Sequence, residues 1–119
     1  MNNKQKAIVK FLVENEGEDV REVIKDVRNI TDFERADILS YDLTVYTDEE
    51  ADEVWEESMD NYIEECVLNE LPEQYRQYFD DEKFKRDCSF DGRGHGLSSY
   101  DGEEHEVKID DTWYYIYKN

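Results

Sequence analysis

Proline occurs once in this chain, at Pro72, and cysteine twice, at Cys66 and Cys88. Two thiols are too few for the disulfide framework of a small secreted domain. No apolar run near the N-terminus resembles a signal-peptide core, so a reduced, cytosolic setting is expected. Nor does any apolar run approach the ~18–20 residues of a membrane-spanning helix. Positive charge is scarcest in mid-chain: no Lys or Arg lies between Arg35 and Arg76, an interval holding fourteen Asp and Glu. With a net charge of −19 and a pI near 4.2, the chain is repelled by nucleic acid and by anionic membranes. That balance disfavours both as direct ligands and favours a basic protein surface. Eight Lys against six Arg is not the lysine-poor composition of a salt-adapted protein.

What is present argues for a folded chain. Nine Tyr, five Phe and two Trp supply apolar area that a disordered acidic tail lacks, and 119 residues suit a single domain, 1–119. Residues 2–15 place Ala7, Ile8, Phe11 and Leu12 at helical spacing behind Lys4, Lys6 and Lys10, a short helix with a basic tip. After Gly17, the stripe Val20, Val23, Ile24 and Val27 predicts a second helix ending near Asn29. Residues 31–40 read as a turn-rich or helical connection, and Tyr41, Leu43 and Val45 alternate as a strand would over 41–46.

Thr47 with Glu50 three positions on forms a capping box. Ala51, Val54, Trp55, Met59, Tyr62, Ile63, Cys66, Val67 and Leu71 then recur at three- and four-residue steps, predicting one amphipathic helix from about Asp48 to Glu70 that Pro72 ends. Further helical turns are expected at 72–79 and 81–88. From Ser89 the character changes: four of the five glycines fall between 92 and 102, and Val107, Ile109, Trp113, Tyr115 and Tyr117 alternate. The Asp101-Gly102 pair and the 109–113 stretch can both turn, so residues 89–119 read as a three-stranded antiparallel β-meander with 41–46 free to join it. The fold class expected is α+β: N-terminal helices and one long acidic helix packed on a small C-terminal sheet, 1–88 mainly helical.

The helix around 48–65 carries ten carboxylates in eighteen residues. At 1.5 Å rise this is about one negative charge per 2.7 Å, between ~1.7 Å for duplex DNA and ~3.4 Å for a single strand. Like charges four apart, such as Glu49–Glu53, Asp52–Glu56, Glu53–Glu57, Glu56–Asp60 and Asp60–Glu64, each destabilise a helix by a few tenths of a kcal/mol. Surfaces that serve solubility alone usually mix both signs. The candidate partner-binding residues are therefore Glu49, Asp52, Glu53, Glu56, Glu57, Asp60 and Glu64; the ordinary alternative is a solvated face.

The remaining features carry weaker signals. Gly92-Arg93-Gly94-His95-Gly96 could cradle an anion, but it lacks the spacing of a nucleotide-binding loop, and a structural hairpin loop is the ordinary reading. Asp87, Ser89 and Asp91 match half of a calcium loop whose twelfth position, Ser98, lacks the bidentate Glu. Cys66, Cys88, His95 and His105 have no zinc-ligand spacing, and Cys66 falls on the apolar stripe. A dyad of His95 or His105 with Ser98, Ser99 or Cys88 can be written, but no nucleophile signature surrounds it. No catalytic residue, metal or other cofactor is expected. A second candidate surface is the aromatic C-terminal sheet: with Trp113, Tyr115 and Tyr117 on one face, Tyr114 and Ile116 on the other, beside Arg93 and His95, would meet a partner or a second copy.

The run from Thr47 through YFDDEKFKRD, followed by RGHGLSSYDG and the terminal WYYIYKN, resembles a group of small, acidic, uncharacterised bacteriophage and mobile-element proteins over about residues 45–119. YFDDEKFKRD is more loosely similar to a segment of acidic anti-restriction proteins of conjugative elements, and size and charge are similar to those of phage DNA-mimic inhibitors. The resemblance implies a phage-side, anti-defence protein acting in the bacterial cytoplasm on a basic host enzyme that handles nucleic acid. It implies no catalytic residues. This chain departs from such mimics in its basic N-terminal tip and in Lys83, Lys85 and Arg86.

Overall fold

The computed structural model describes residues 1–119. Two N-terminal helices, α1 (Asn3–Glu14) and α2 (Val20–Val27), are followed by strands β1 (Ala36–Ile38) and β2 (Tyr41–Thr47). Helix α3 (Asp48–Tyr62) continues through a π-helical turn (Ile63–Val67) into α4 (Leu68–Glu70). Helices α5 (Glu73–Arg76), α6 (Asp81–Ser89) and α7 (Arg93–Leu97) then lead to β3 (His105–Ile109) and β4 (Thr112–Lys118). The fold class is α+β, with one four-stranded antiparallel sheet in the order β1-β2-β4-β3.

Strand alternation gives the sheet two apolar faces. Ala36, Ile38, Leu43, Val45, Val107, Tyr114 and Ile116 pack against Ala7, Ile8, Phe11 and Leu12 of α1 and Val23 and Val27 of α2, all buried. On the opposite face Tyr46 and Tyr117 meet Ala51 and Val54 of α3 and Leu97 of α7. The sheet is therefore a middle layer. Gln5 is the one buried polar side chain of the first interface, and its amide donates to the carbonyls of Val27 and Ile30, fixing the end of α2 on α1.

The expected capping box of Thr47 with Glu50 opens α3, and a second one, Asn2 with Gln5, opens α1. Two strand pairs are joined by two-residue turns with both residues at positive φ, Leu39-Ser40 and Asp110-Asp111. This geometry matches the twist of a hairpin, and Asp tolerates it better than most residues. The 31–40 connection thus contains a strand, concealed because Leu-Ser carries no Gly or Asn turn signal.

The expected three-stranded meander is corrected. Residues 97–100 form no strand; the Gly-rich stretch folds as the short helix α7, and β4 pairs with β2, so the sheet closes through the mid-chain hairpin. The cause is Ser98, which is buried and whose hydroxyl donates to the Lys118 carbonyl at the end of β4. That bond anchors the loop at the sheet's end, where no further ladder can form.

The long helical run is also interrupted. In the π-turn the Leu68 N–H reaches back to the Ile63 carbonyl, adding a residue to that turn and rotating the stripe beyond it. From Asp48 to Glu70 the run is about 34 Å long, and none of its residues beyond Ile63 is buried. Cys66 is exposed there, where the stripe pattern expected a core thiol. Leu71, extended before Pro72, ends the run.

Candidate partner-binding face

The capping box of Thr47 fixes where α3 starts, and hence which carboxylates face the body. Two rows emerge, each at four-residue steps. Asp48, Asp52, Glu56 and Asp60 lie along the side facing α6 and α7; Glu49, Glu53 and Glu57 lie on the next row round, with Glu64 and Glu65 beyond them.

The first row is paired within the molecule. Arg93, at the start of α7, holds Asp48 and Asp52 through one terminal nitrogen, at 2.9 Å each, and Glu104 through Nε at 2.8 Å. Its guanidinium lies 4.6 Å from the centre of the Tyr115 ring, so the cation is stacked as well as paired. Burial alone would depress the Arg93 pKa, but the Glu104 and Asp48 acceptors outweigh it and push it above its ordinary value. Glu104 also accepts from the Tyr117 hydroxyl, whose pKa is raised first by burial and then by that carboxylate. Lys85 of α6 bridges Glu56 and Asp60, and hydrogen bonds to these two, Asp60 first, raise its pKa. Glu50 pairs with Lys4 of α1. Burial raises the Glu50 pKa, but the Thr47 amide and Lys4 outweigh it and leave it below the usual carboxylate value.

The second row has no such partners. Glu49, Glu53, Glu57, Glu64 and Glu65 are exposed, and none joins an ion pair. The expected seven-residue site therefore divides: Asp52, Glu56 and Asp60 are structural ion-pair members, and Glu49, Glu53, Glu57 and Glu64 are free. The free carboxylates average about one per 5 Å, sparser than a single nucleic-acid strand, because two cations distant in sequence, Arg93 and Lys85, each bridge two carboxylates of the other row.

The second candidate surface is corrected outright. Tyr114 and Ile116 are core residues beneath α1, and Tyr117 on the opposite face is fully buried as well, so none of the three is available to a partner; of the β4 aromatics only Trp113, 46% exposed, and the half-buried Tyr115 stay open. Arg93 is enclosed by its three carboxylates. His95 alone of that group is exposed, beside a groove of about 270 Å³ lined by Trp55, Met59, Tyr62, Phe84 and Cys88.

The RGHGLSSYDG stretch is held by contacts of its small and polar residues. A Cβ on Gly94 would lie 2.5 Å from the Glu103 carbonyl carbon and 2.6 Å from the Glu104 nitrogen, so α7 can touch the 102–104 backbone only there. Gly96 faces the Trp55 ring. Ser98 donates to Lys118 and is bonded to Asp101, whose other oxygen meets His105 Nε2 at 3.2 Å. His105 in turn packs 4.9 Å from the Phe11 ring. The order is Ser-Asp-His with the carboxylate in the middle, so the imidazole does not reach the hydroxyl as a general base must. Asp101, Glu103 and His105 place ligand atoms within 4.8 Å of one another, but Asp101 already accepts from the Glu103 amide and is in contact with Ser98 and His105. The half calcium loop lies mostly inside α6, where Asp87 and Ser89 are helical. No helix is long and apolar enough to cross a membrane.

Sequence spacing could not reveal the pairs of Arg93 with Asp48 and Asp52, which join residues 45 and 41 positions apart. The one hint was that Arg93 is the sole cation in a stretch otherwise given to glycine and turns. No known protein family, curated protein or solved structure matches the chain.

Proposed function

We propose that this protein is a non-catalytic inhibitor that lays α3 along the cationic groove of a basic nucleic-acid-handling enzyme and excludes the nucleic acid. The observation that carries this reading is the uncompensated row Glu49, Glu53, Glu57 and Glu64. Arg93, Lys85 and Lys4 quiet the neighbouring carboxylates, while this row keeps its mutual repulsion and faces solvent. Lys and Arg along a nucleic-acid groove would relieve that repulsion on binding, as they do for phosphates. The setting implied by the resemblance, a phage-side protein acting on a host enzyme in the bacterial cytoplasm, fits this use of charge. The hydrogen bonds that occupy Ser98, Asp101 and His105 support a non-catalytic role for the Gly-rich stretch.

The test compares wild type with Glu49→Gln/Glu53→Gln/Glu57→Gln and with Glu22→Gln/Glu73→Gln/Glu82→Gln, a control of equal net charge. Each is used to capture proteins from a bacterial lysate at low and high salt, and the captured enzyme is then assayed for nucleic-acid binding. Wild type and control should capture a basic enzyme at low salt and compete with its nucleic acid; the row variant should not. Equal capture by the row variant at both salts would overturn the reading.

A further inference from the structure

Pro72–Phe90 forms an arm with an unusual combination of properties. From Glu64 to Arg93 no residue is buried, yet the arm holds Tyr75, Tyr78, Phe79, Phe84 and Phe90. Tyr75, Tyr78 and Phe90 are 55, 76 and 82% exposed. The molecule extends 59 Å along its long axis with a radius of gyration of 17.1 Å, where a compact chain of this length would have about 13–14 Å. The arm touches the body along one line, through the stacked Tyr62 and Phe84 rings and the Lys85 bridges to α3. Helices of four and nine residues are too short to persist without packing, and a linker meant to stay solvated does not carry five aromatic rings.

The face is legible from α6. Phe84, Lys85 and Cys88 turn toward α3, which leaves Lys83, Arg86 and Phe90 at i, i+3 and i+7 on the outward side; neither cation joins an ion pair. Charge then selects the occupant. Residues 72–90 carry five acids and four bases, whereas 36–70 carry thirteen acids and no base. A basic partner is drawn to α3 and finds an excess of only one negative charge on the arm. Another copy of this chain is repelled by the acidic helix, and on the arm it meets aromatic rings among nearly balanced charges. Neither sheet edge invites strand pairing: edge strand β1 has three residues, and edge strand β3 carries Glu106 and Lys108.

We propose that the arm is a self-association surface through which a second copy binds by a two-fold contact, each arm covering the other's Tyr75, Tyr78 and Phe90. These three rings expose on the order of 400 Å², about half of what one partner contributes to a standard interface of ~800 Å² per side. The contact leaves both free acidic rows outward, and it does not depend on the inhibitor reading above. Its salt dependence has the opposite sign: salt screens the repulsion between two anionic bodies and tightens the dimer, while it weakens docking of α3 on a basic groove.

The experiment is sedimentation equilibrium of the full chain, wild type and Tyr75→Ser/Tyr78→Ser/Phe90→Ser, over a concentration series at low and high salt. Wild type should pass from 14.3 kDa to twice that mass, at lower concentration when salt is raised. The variant should show a dissociation constant at least ~100-fold higher. A chain that stays at 14.3 kDa throughout, or a variant that dimerises like wild type, would overturn the proposal. Hydrogen exchange of the wild-type chain supplies a check independent of any substitution: protection of arm amides should rise with concentration, and concentration-independent protection counts against the contact.

Discussion

Several single residues in this chain are explained by contacts rather than by propensity. Gly94 is the sharpest case, because its backbone touches Glu103 and Glu104 with no room for a methyl group. Gly94→Ala should cost about 3 kcal/mol, read by denaturant unfolding, and should loosen Arg93 from Glu104. Gly96→Ala, with Trp55 side-chain atoms at 3.4 Å, should cost less. Asp101 gives a pH signature. Burial raises its pKa, but the Glu103 amide, the Ser98 hydroxyl and His105 outweigh that and leave it depressed. A carboxylate whose folded pKa lies below its unfolded value stabilises the fold above that unfolded value and loses the contribution as pH falls through the folded one. Wild type should therefore be more thermally stable than Asp101→Asn near pH 6, and the two melting curves should converge as pH falls below about 4.

At the scale of elements, α3 is one helix with two electrostatic characters, and substitutions should report which row they fall on. Glu53→Lys turns two repulsive i,i+4 contacts, with Glu49 and Glu57, into attractive ones and should leave the chain as stable or a few tenths of a kcal/mol more so. Asp52→Lys sets a cation against Arg93 and should destabilise by about 1 kcal/mol. Melting temperatures of the pair decide the matter; equal shifts would mean that Arg93 does not distinguish the rows. Much of the element pattern could be read from sequence: the Thr47 capping box, the α1 and α2 stripes, β2 and the C-terminal alternation follow from local spacing. The β1 hairpin could not, since Leu39-Ser40 adopts its turn without a turn-forming pair and is held by tertiary contacts, including a bond from the Leu39 amide to Asp26. Helix α7 was hidden for the reverse reason, glycine-rich sequence held helical by Arg93 and by the Trp55 ring.

Over the whole molecule, charge is both segregated and excessive. A net charge of −19 on 119 residues opposes compaction, and most of the surplus lies where no cation can follow it in sequence. Raising NaCl from low concentration should increase the melting temperature, because screening removes more long-range repulsion than it weakens among the short ion pairs of Arg93 and Lys85. A fall in melting temperature with salt would show that the internal pairs dominate. The arm, with five acids and four bases, carries little of that surplus and projects from the acidic body in a molecule 59 Å long.

The sequence by itself determined the α+β class, the caps and apolar stripes of the helices, the strand alternation and the one-signed charge of α3, since each depends on residues within one or two turns of one another. Only the tertiary structure decided which carboxylates are free, which aromatic residues are open and which loop is helical. Those outcomes depend on contacts between residues tens of positions apart. Arg93 reaches back to Asp48 and Asp52, β4 inserts between β2 and β3, and helices close over both sheet faces, burying Tyr114, Ile116 and Tyr117 while Tyr75, Tyr78 and Phe90 stay in water. Periodicity tells how a residue faces its own helix or strand; what lies across from that face is fixed by the packing of the others.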